Sequence, residues 1–152
     1  METKEARKRT LAGEALTELV LETFRFNGLL MEASDQRIKH LGITSTLWKV
    51  LSALSDAPMS MAKVARNMGL TRQSVRRSVN RLKDKGLAYC SENPDHQRAK
   101  LISITNNGAI LLDEINEIQI EWSNDVASRL KVDKLNLTTE TMKAIEQILH
   151  NN

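Results

Sequence analysis

Gly69 separates two short amphipathic stretches that cannot belong to one continuous helix, and this break constrains the fold more than any other feature of the chain. Before it, Met61, Val64, Ala65 and Met68 fall at helical spacing, with Ser60 placed to cap the helix they define. After it, Thr71 is positioned to cap a second helix in which Val75, Val79 and Leu82 recur at i, i+4 and i+7 as an inward stripe. Gly69 supplies the turn between them, and Gly86 ends the second helix as a left-handed cap. Leu87-Ala88-Tyr89-Cys90 and Leu101-Ile102-Ser103-Ile104 then read as a β-hairpin interrupted by the turn Asn93-Pro94-Asp95. Two short helices, a tight turn and a ribbon make a helix-turn-helix with a β-wing.

The second of these helices carries the charge. Between Thr71 and Lys85 lie Arg72, Arg76, Arg77, Arg81, Lys83 and Lys85 against a single acid, Asp84, a local charge of +5 in a chain whose formal net charge is +3. A helix kept soluble by ordinary surface charge mixes Glu and Lys at i, i+4, which this one does not. Rotation by about 100° per residue away from the Val75 stripe puts Gln73, Arg76, Arg77 and Asn80 on or near the exposed face. An α-helix fits the major groove of duplex DNA, where Arg pairs with guanine O6 and N7 and Gln or Asn with adenine N6 and N7. Arg72, Gln73, Arg76, Arg77 and Asn80 are therefore the expected base readers. Arg81, Lys83 and Lys85 lie late in the helix, where phosphate contact is expected. Ser60 and Thr71, at helix N-termini, are caps that can also donate to phosphate. Lys63 and Arg66 on the preceding helix and Lys100 beside the wing are further backbone contacts. The competing reading of this face is a solvated charged surface.

Composition narrows the alternatives. At 152 residues, 41% hydrophobic and 27% charged, the chain is expected to form one folded domain spanning 1–152. Aromatics are only 3%, which argues against a base-stacking RNA platform. No stretch of 18 apolar residues predicts a membrane span, and METKEARKRT lacks the apolar run of a signal peptide. With one cysteine, Cys90, no internal disulfide is possible, which fits a reducing cytoplasm. Cys90 itself is expected to be a half-buried strand residue. His40, His96 and His150 lack metal-ligand spacing, and neither a glycine-rich phosphate loop nor a nucleophile triad is visible, so no metal, cofactor or enzymatic activity is expected.

The flanking segments are helical and apolar on one side. Leu11, Leu16, Leu19, Val20 and Phe24 predict a helix from about 10 to 34. Thr44 or Ser45 caps a helix carrying Leu47, Val50, Leu51 and Leu54, which stops before Ala57-Pro58. After Asn106-Asn107-Gly108, Ile115, Ile118, Trp122, Val126 and Leu130 form one stripe, and a last helix near 138–150 carries Met142, Ile145, Ile148 and Leu149. The fold class is thus mostly α with a small β-hairpin wing (α+β): a winged helix-turn-helix lobe over about 44–105, flanked by helices at about 10–34 and 109–150. No polar chemistry explains the end stripes, so those helices are expected to form a dimerisation unit.

From Leu11 to Leu149 the chain resembles the MarR family of bacterial winged-helix transcriptional regulators. The resemblance rests on ITSTLWKVLSAL, on MAKVARNMGLTRQSVRRSVNRLKDKGL, and most specifically on NPDHQRAKLISITNNG. It implies a homodimeric, cytoplasmic regulator of double-stranded DNA, a repressor on a pseudo-palindromic operator, with recognition helices about 34 Å apart. It also implies that Arg98, at the wing tip, enters the minor groove. Family members place an acid two residues before this arginine; here that position is His96, and the nearest acid is Asp95. Relatives bind small anionic or phenolic effectors in a cleft between the end helices and the DNA lobe. Phe24, His40 and Trp48, with Phe26 nearby, are the candidates for such a cleft here, and core packing is the competing role for the rings. Two other classes stay open: a winged-helix interaction module that docks an acidic partner, and an RNA-binding protein.

Overall fold

The computed structural model describes residues 8–94 and 99–151. Its order is α1 (Leu11–Ile38), a 3-10 turn (Lys39–Leu41), α2 (Ser45–Ala53), β1 (Met59–Ser60), α3 (Met61–Met68), α4 (Arg72–Asp84), β2 (Ala88–Ser91), β3 (Leu101–Ile104), α5 (Asn106–Ala127) and α6 (Val132–His150). This is the mostly helical fold with a small antiparallel sheet that the periodicity predicts.

Capping hydroxyls set most of the helix starts. Thr10, Thr44, Ser60, Thr71 and Thr105 each accept a hydrogen bond from the backbone N–H three residues on, satisfying a donor that the helix itself leaves free. Of the two candidates at the start of α2, Thr44 is the cap. Gly69 and Gly86 sit at φ 62° and 70°, the left-handed conformation that ends α3 and the turn after α4. Three boundaries differ from expectation. α1 runs to Ile38, four residues past the predicted end, because the chain turns only at the left-handed Gly42. α5 ends at Ala127, so Leu130 belongs to the link into α6, and α6 begins at Val132 and not near 138.

The sheet also has a strand that hydropathy does not predict. β1 pairs with β3, Met59 opposite Ile102 and Ser60 opposite Leu101, giving the order β1–β3–β2, all antiparallel. β2 pairs with β3 from Ala88 opposite Ile104 to Ser91 opposite Leu101. The wing is thereby anchored to the start of α3 as well as to the end of α4. Ile102, central in both pairings, is fully buried.

One core holds the lobe together. Val75, Val79 and Leu82 of α4, Val64 of α3 and Val50 and Leu51 of α2 are all at 0% exposure, and Ile38 of α1 and Ile115 of α5 join them. At roughly 1.5–3 kcal/mol per fully buried aliphatic side chain, this cluster is the main stabilising element of the lobe. α5 is seated by Gly108. A Cβ there would sit inside the van der Waals shell of the Leu87 carbonyl oxygen and 2.7 Å from Ile104 Cγ1. Thr105 locks the same junction, donating its hydroxyl to Gly86 O at 2.7 Å and its N–H to Leu87 O at 3.0 Å.

The end helices look different. α6 has no buried residue, and α1 buries only Ser34 and Ile38. Phe24, expected either in the core or in a cleft with Trp48, is 70% exposed in the single chain, and Phe26 is exposed as well.

Candidate nucleic-acid interface

α4 divides cleanly along its length. Val75, Ser78, Val79 and Leu82 are buried, while Arg72, Gln73, Arg76, Arg77, Asn80, Arg81, Lys83 and Lys85 are exposed. The Thr71 hydroxyl accepts from the Ser74 N–H at 3.1 Å and fixes the first turn, so Arg72, Gln73, Arg76, Arg77 and Asn80 are presented, exposed, by a well-defined helix. Among the described residues the ion pairs are Arg25 with Glu22 and Arg129 with Asp125, both on the end helices. Among the described residues no carboxylate pairs with the α4 cations. Their charge stays available to an external anion.

The neighbouring residues extend this surface. Ser60 caps α3, accepting from the Lys63 N–H at 3.3 Å, and Lys63 and Arg66 are exposed on that helix. Lys100 is exposed just before β3. Asp95, His96 and Arg98 lie outside the described residues. Cys90 is a half-buried thiol on β2, as expected of a strand residue.

Beside α4 lies a polar cavity of about 400 Å³ between the start of α2 and the outer flank of α4, lined by Asp35, Thr44, Thr46, Ser74, Arg77 and Arg81 among others. Asp35 spans the gap between α1 and α2, accepting a hydrogen bond from the Ser45 N–H. No sequence pattern singles out Asp35, because its partner is a backbone group ten residues away.

Phe24, His40 and Trp48, the residues expected at an effector cleft, do not line one common cavity in the single chain. Phe24 lies on α1 three residues before Asn27, the first α1 residue to line the cavity that holds Trp48. It borders an apolar groove between α1 and α6 with Leu19, Val20, Met142, Ile145 and Leu149. Trp48 instead lines a separate cavity of about 260 Å³ where α1, α2 and α5 meet. His40 is exposed on the 3-10 turn and lines neither. Arg37 enters the Trp48 cavity with its guanidinium carbon 4.1 Å from the centre of the Trp122 ring, a cation–π geometry. Burial lowers its pKa from the usual value. Sequence reasoning missed Arg37 because the first helix is predicted to end at 34, which leaves position 37 without a face.

No helix among the described residues is long and apolar enough to cross a membrane. A MarR family sequence profile matches residues 41–99, from the end of the 3-10 turn to just before β3. The uncharacterized protein Rv2011c of Mycobacterium tuberculosis is 32% identical over 130 residues, covering 86% of this chain and 91% of the relative, and a Mycobacterium bovis protein matches to the same extent. Among solved structures, AbsC, a MarR family transcriptional regulator from Streptomyces coelicolor, superposes with TM-score 0.79 at 16% identity, covering 97% of this chain and all of AbsC. A mutant MarR from E. coli complexed with operator DNA superposes with TM-score 0.78 at 19% identity, covering 90% of this chain and 99% of that one. With a winged helix-turn-helix seated between long end helices, a matching family profile over that lobe, and relatives aligned nearly end to end, the chain belongs to the MarR family.

Proposed function

We propose that this chain is a homodimeric, sequence-specific double-stranded DNA-binding repressor that occludes a pseudo-palindromic operator. The observation that carries this is the exposed face of α4, where Arg72, Gln73, Arg76, Arg77 and Asn80 present base-reading chemistry beside uncompensated cations. In this reading those five side chains enter the major groove. Ser60, Lys63, Thr71, Arg81, Lys85 and Lys100 hold the phosphates that set the helix in register. His96 and Arg98, at the wing tip, address the adjacent minor groove.

The dimer is supported by what the single chain leaves uncovered. Leu16, Val20, Phe24, Ile148 and Leu149 are 42–70% exposed on α1 and α6, a contiguous apolar surface of the kind that marks an interface. A two-fold axis through it would relate two copies of α4, and an operator read on successive major-groove faces calls for them about 34 Å apart. An effector enters this reading through the Trp48 cavity. A ligand that favours one arrangement of the DNA lobes over another shifts operator affinity by its differential binding to the two.

Selection of bound sequences from a random duplex pool, followed by affinity measurement on the winner, tests the whole. A two-fold symmetric consensus bound far more tightly than random duplex is the expected result. Capture of single-stranded RNA, or of an acidic protein with no duplex enrichment, would overturn it in favour of the corresponding alternative class.

A further inference from the structure

The polar cavity beside α4 collects the hydroxyls of Thr46, Ser74 and Ser78, none of which makes a hydrogen bond among the described residues. Ser78 is the unusual one. It is 4% exposed, yet its hydroxyl lines the cavity without a protein partner. A helical hydroxyl so placed ordinarily turns back to the carbonyl four residues earlier, as Thr17 and Thr23 do on α1. The start of α2 opens on the same space. Its Ser45 N–H goes to Asp35 and its Leu47 N–H to the Thr44 hydroxyl, which leaves the Thr46 N–H free.

Charge and spacing narrow what meets these donors. Ser74, Arg77, Ser78 and Arg81 stand at i, i+3, i+4 and i+7, so one flank of α4 carries both guanidinium groups and both serines. Neither arginine is in an ion pair among the described residues. Asp35 is the acid of the lining, and its Oδ1 is already engaged by the Ser45 N–H. Two arginines against one aspartate leave the wall with one positive charge, and the positive end of the α2 dipole adds to it. A group with one negative charge and several acceptor oxygens fits such a wall, and arginine pairs with phosphate in a bidentate fork.

We propose that this cavity seats one phosphodiester group of the operator backbone, held by Arg77 and Arg81, by the hydroxyls of Thr46, Ser74 and Ser78, and by the start of α2. The inference rests on the DNA-binding reading above and deepens it. It adds Thr46, Ser74 and Ser78 to the backbone contacts, and places Arg77 at the edge of the groove-facing set, where a strand runs past the helix. It also gives Asp35 a second effect. Its carboxylate holds the start of α2 in place but stands beside the seated phosphate as a like charge, so it keeps affinity down.

The full-length protein is measured on its selected duplex and on copies in which one backbone phosphate at a time is replaced by an uncharged methylphosphonate. Ser78→Ala and Thr46→Val each remove a hydroxyl at little change in volume, and each should weaken binding about two- to tenfold with base preference unchanged. On the copy whose methylphosphonate falls at the seat, the wild type should bind more weakly and neither substitution should cost anything further. Asp35→Asn keeps an acceptor for the Ser45 N–H and removes the like charge. It should tighten binding severalfold, and that gain should vanish on the same copy. Melting of each variant without DNA shows whether it folds, and if Ser78→Ala does not, Thr46→Val and Asp35→Asn carry the same comparison. Losses that persist on every methylphosphonate copy, wild-type affinity in the hydroxyl variants, or weaker binding by Asp35→Asn would overturn the proposal. Such a failure on a duplex that the wild type binds tightly leaves the operator reading intact, whereas failure of that reading shows earlier, as a wild type that selects no duplex.

Discussion

Asp35 Oδ1 accepts a hydrogen bond from the Ser45 backbone N–H at 2.6 Å, tying the last turn of α1 to the first turn of α2. The residues on either side of this tie face different spaces. Ser34 and Ser45 turn their hydroxyls into the α1–α2–α5 cavity, while Asp35 borders the polar cavity shared with Arg77 and Arg81 of α4. Asp35→Ala leaves the N–H of a buried residue without its acceptor and removes a negative charge from a helix N-terminus. Chemical denaturation should show a loss of about 1–3 kcal/mol. An unchanged midpoint would mean that water replaces the carboxylate without penalty.

The exposed face of α4 separates into base readers and phosphate binders under the proposed role. Arg76→Ala and Gln73→Ala should each cost about 1–3 kcal/mol and relax preference at particular operator positions. Lys85→Ala, at the helix end, should weaken all duplexes alike. Competition binding on operator variants distinguishes these patterns, and a uniform loss for every substitution would remove base reading from this helix.

Phe24→Asp tests the uncovered apolar surface. The side chain is 70% exposed in the single chain, so the substitution should leave the fold of a protomer intact. In a dimer it would bury a charge without a partner, so sedimentation should show dissociation. A dimer of unchanged affinity would place the two-fold interface elsewhere.

Gly108→Ala should destabilise the lobe by about 1–3 kcal/mol, because the added methyl has no room between the Leu87 carbonyl and Ile104. Thermal melting of the variant checks this. Gly28, on the outer face of α1, has nothing within 4 Å of its missing Cβ, so Gly28→Ala is the contrasting control and should be neutral or slightly stabilising.

What the sequence reveals and what it hides follow from how local each feature is. The stripe of Val75, Val79 and Leu82 is a property of one helix, and all three are fully buried. The serine and threonine caps are likewise read from neighbours three residues apart. β1 escapes notice because two residues have no period, and Met59–Ser60 becomes a strand only where β3 offers an edge. The cavity between α1, α2 and α5 is invisible for a stronger reason. Its buried polar atoms without a partner among the described residues, Ser34 Oγ, Arg37 Nε, Ser45 Oγ, Trp48 Nε1 and Gln119 Nε2, come from three helices, and only packing brings Ser34 and Gln119 to one space. Phe24, midway along α1, is turned to the groove shared with α6, while the Trp48 cavity takes its α1 lining from Asn27 onward.

The unpaired cations of α4 also act on the protein that carries them. Arg72 with Arg76, Arg77 with Arg81, and Arg81 with Lys85 stand at i, i+4, each an unfavourable like-charge neighbour worth about 0.2–0.5 kcal/mol. Arg72 adds to this at the positive end of the helix dipole, while Lys83 and Lys85 at the other end partly offset it. The free protein is thus self-repelling along the very surface proposed to meet DNA, and a bound phosphate array would relieve that strain as well as supply attraction. Raising ionic strength should therefore stabilise the free fold slightly by screening, while it weakens the complex by reducing the gain from counterion release. The helix is most at ease either on DNA or in brine, and least so alone in dilute buffer.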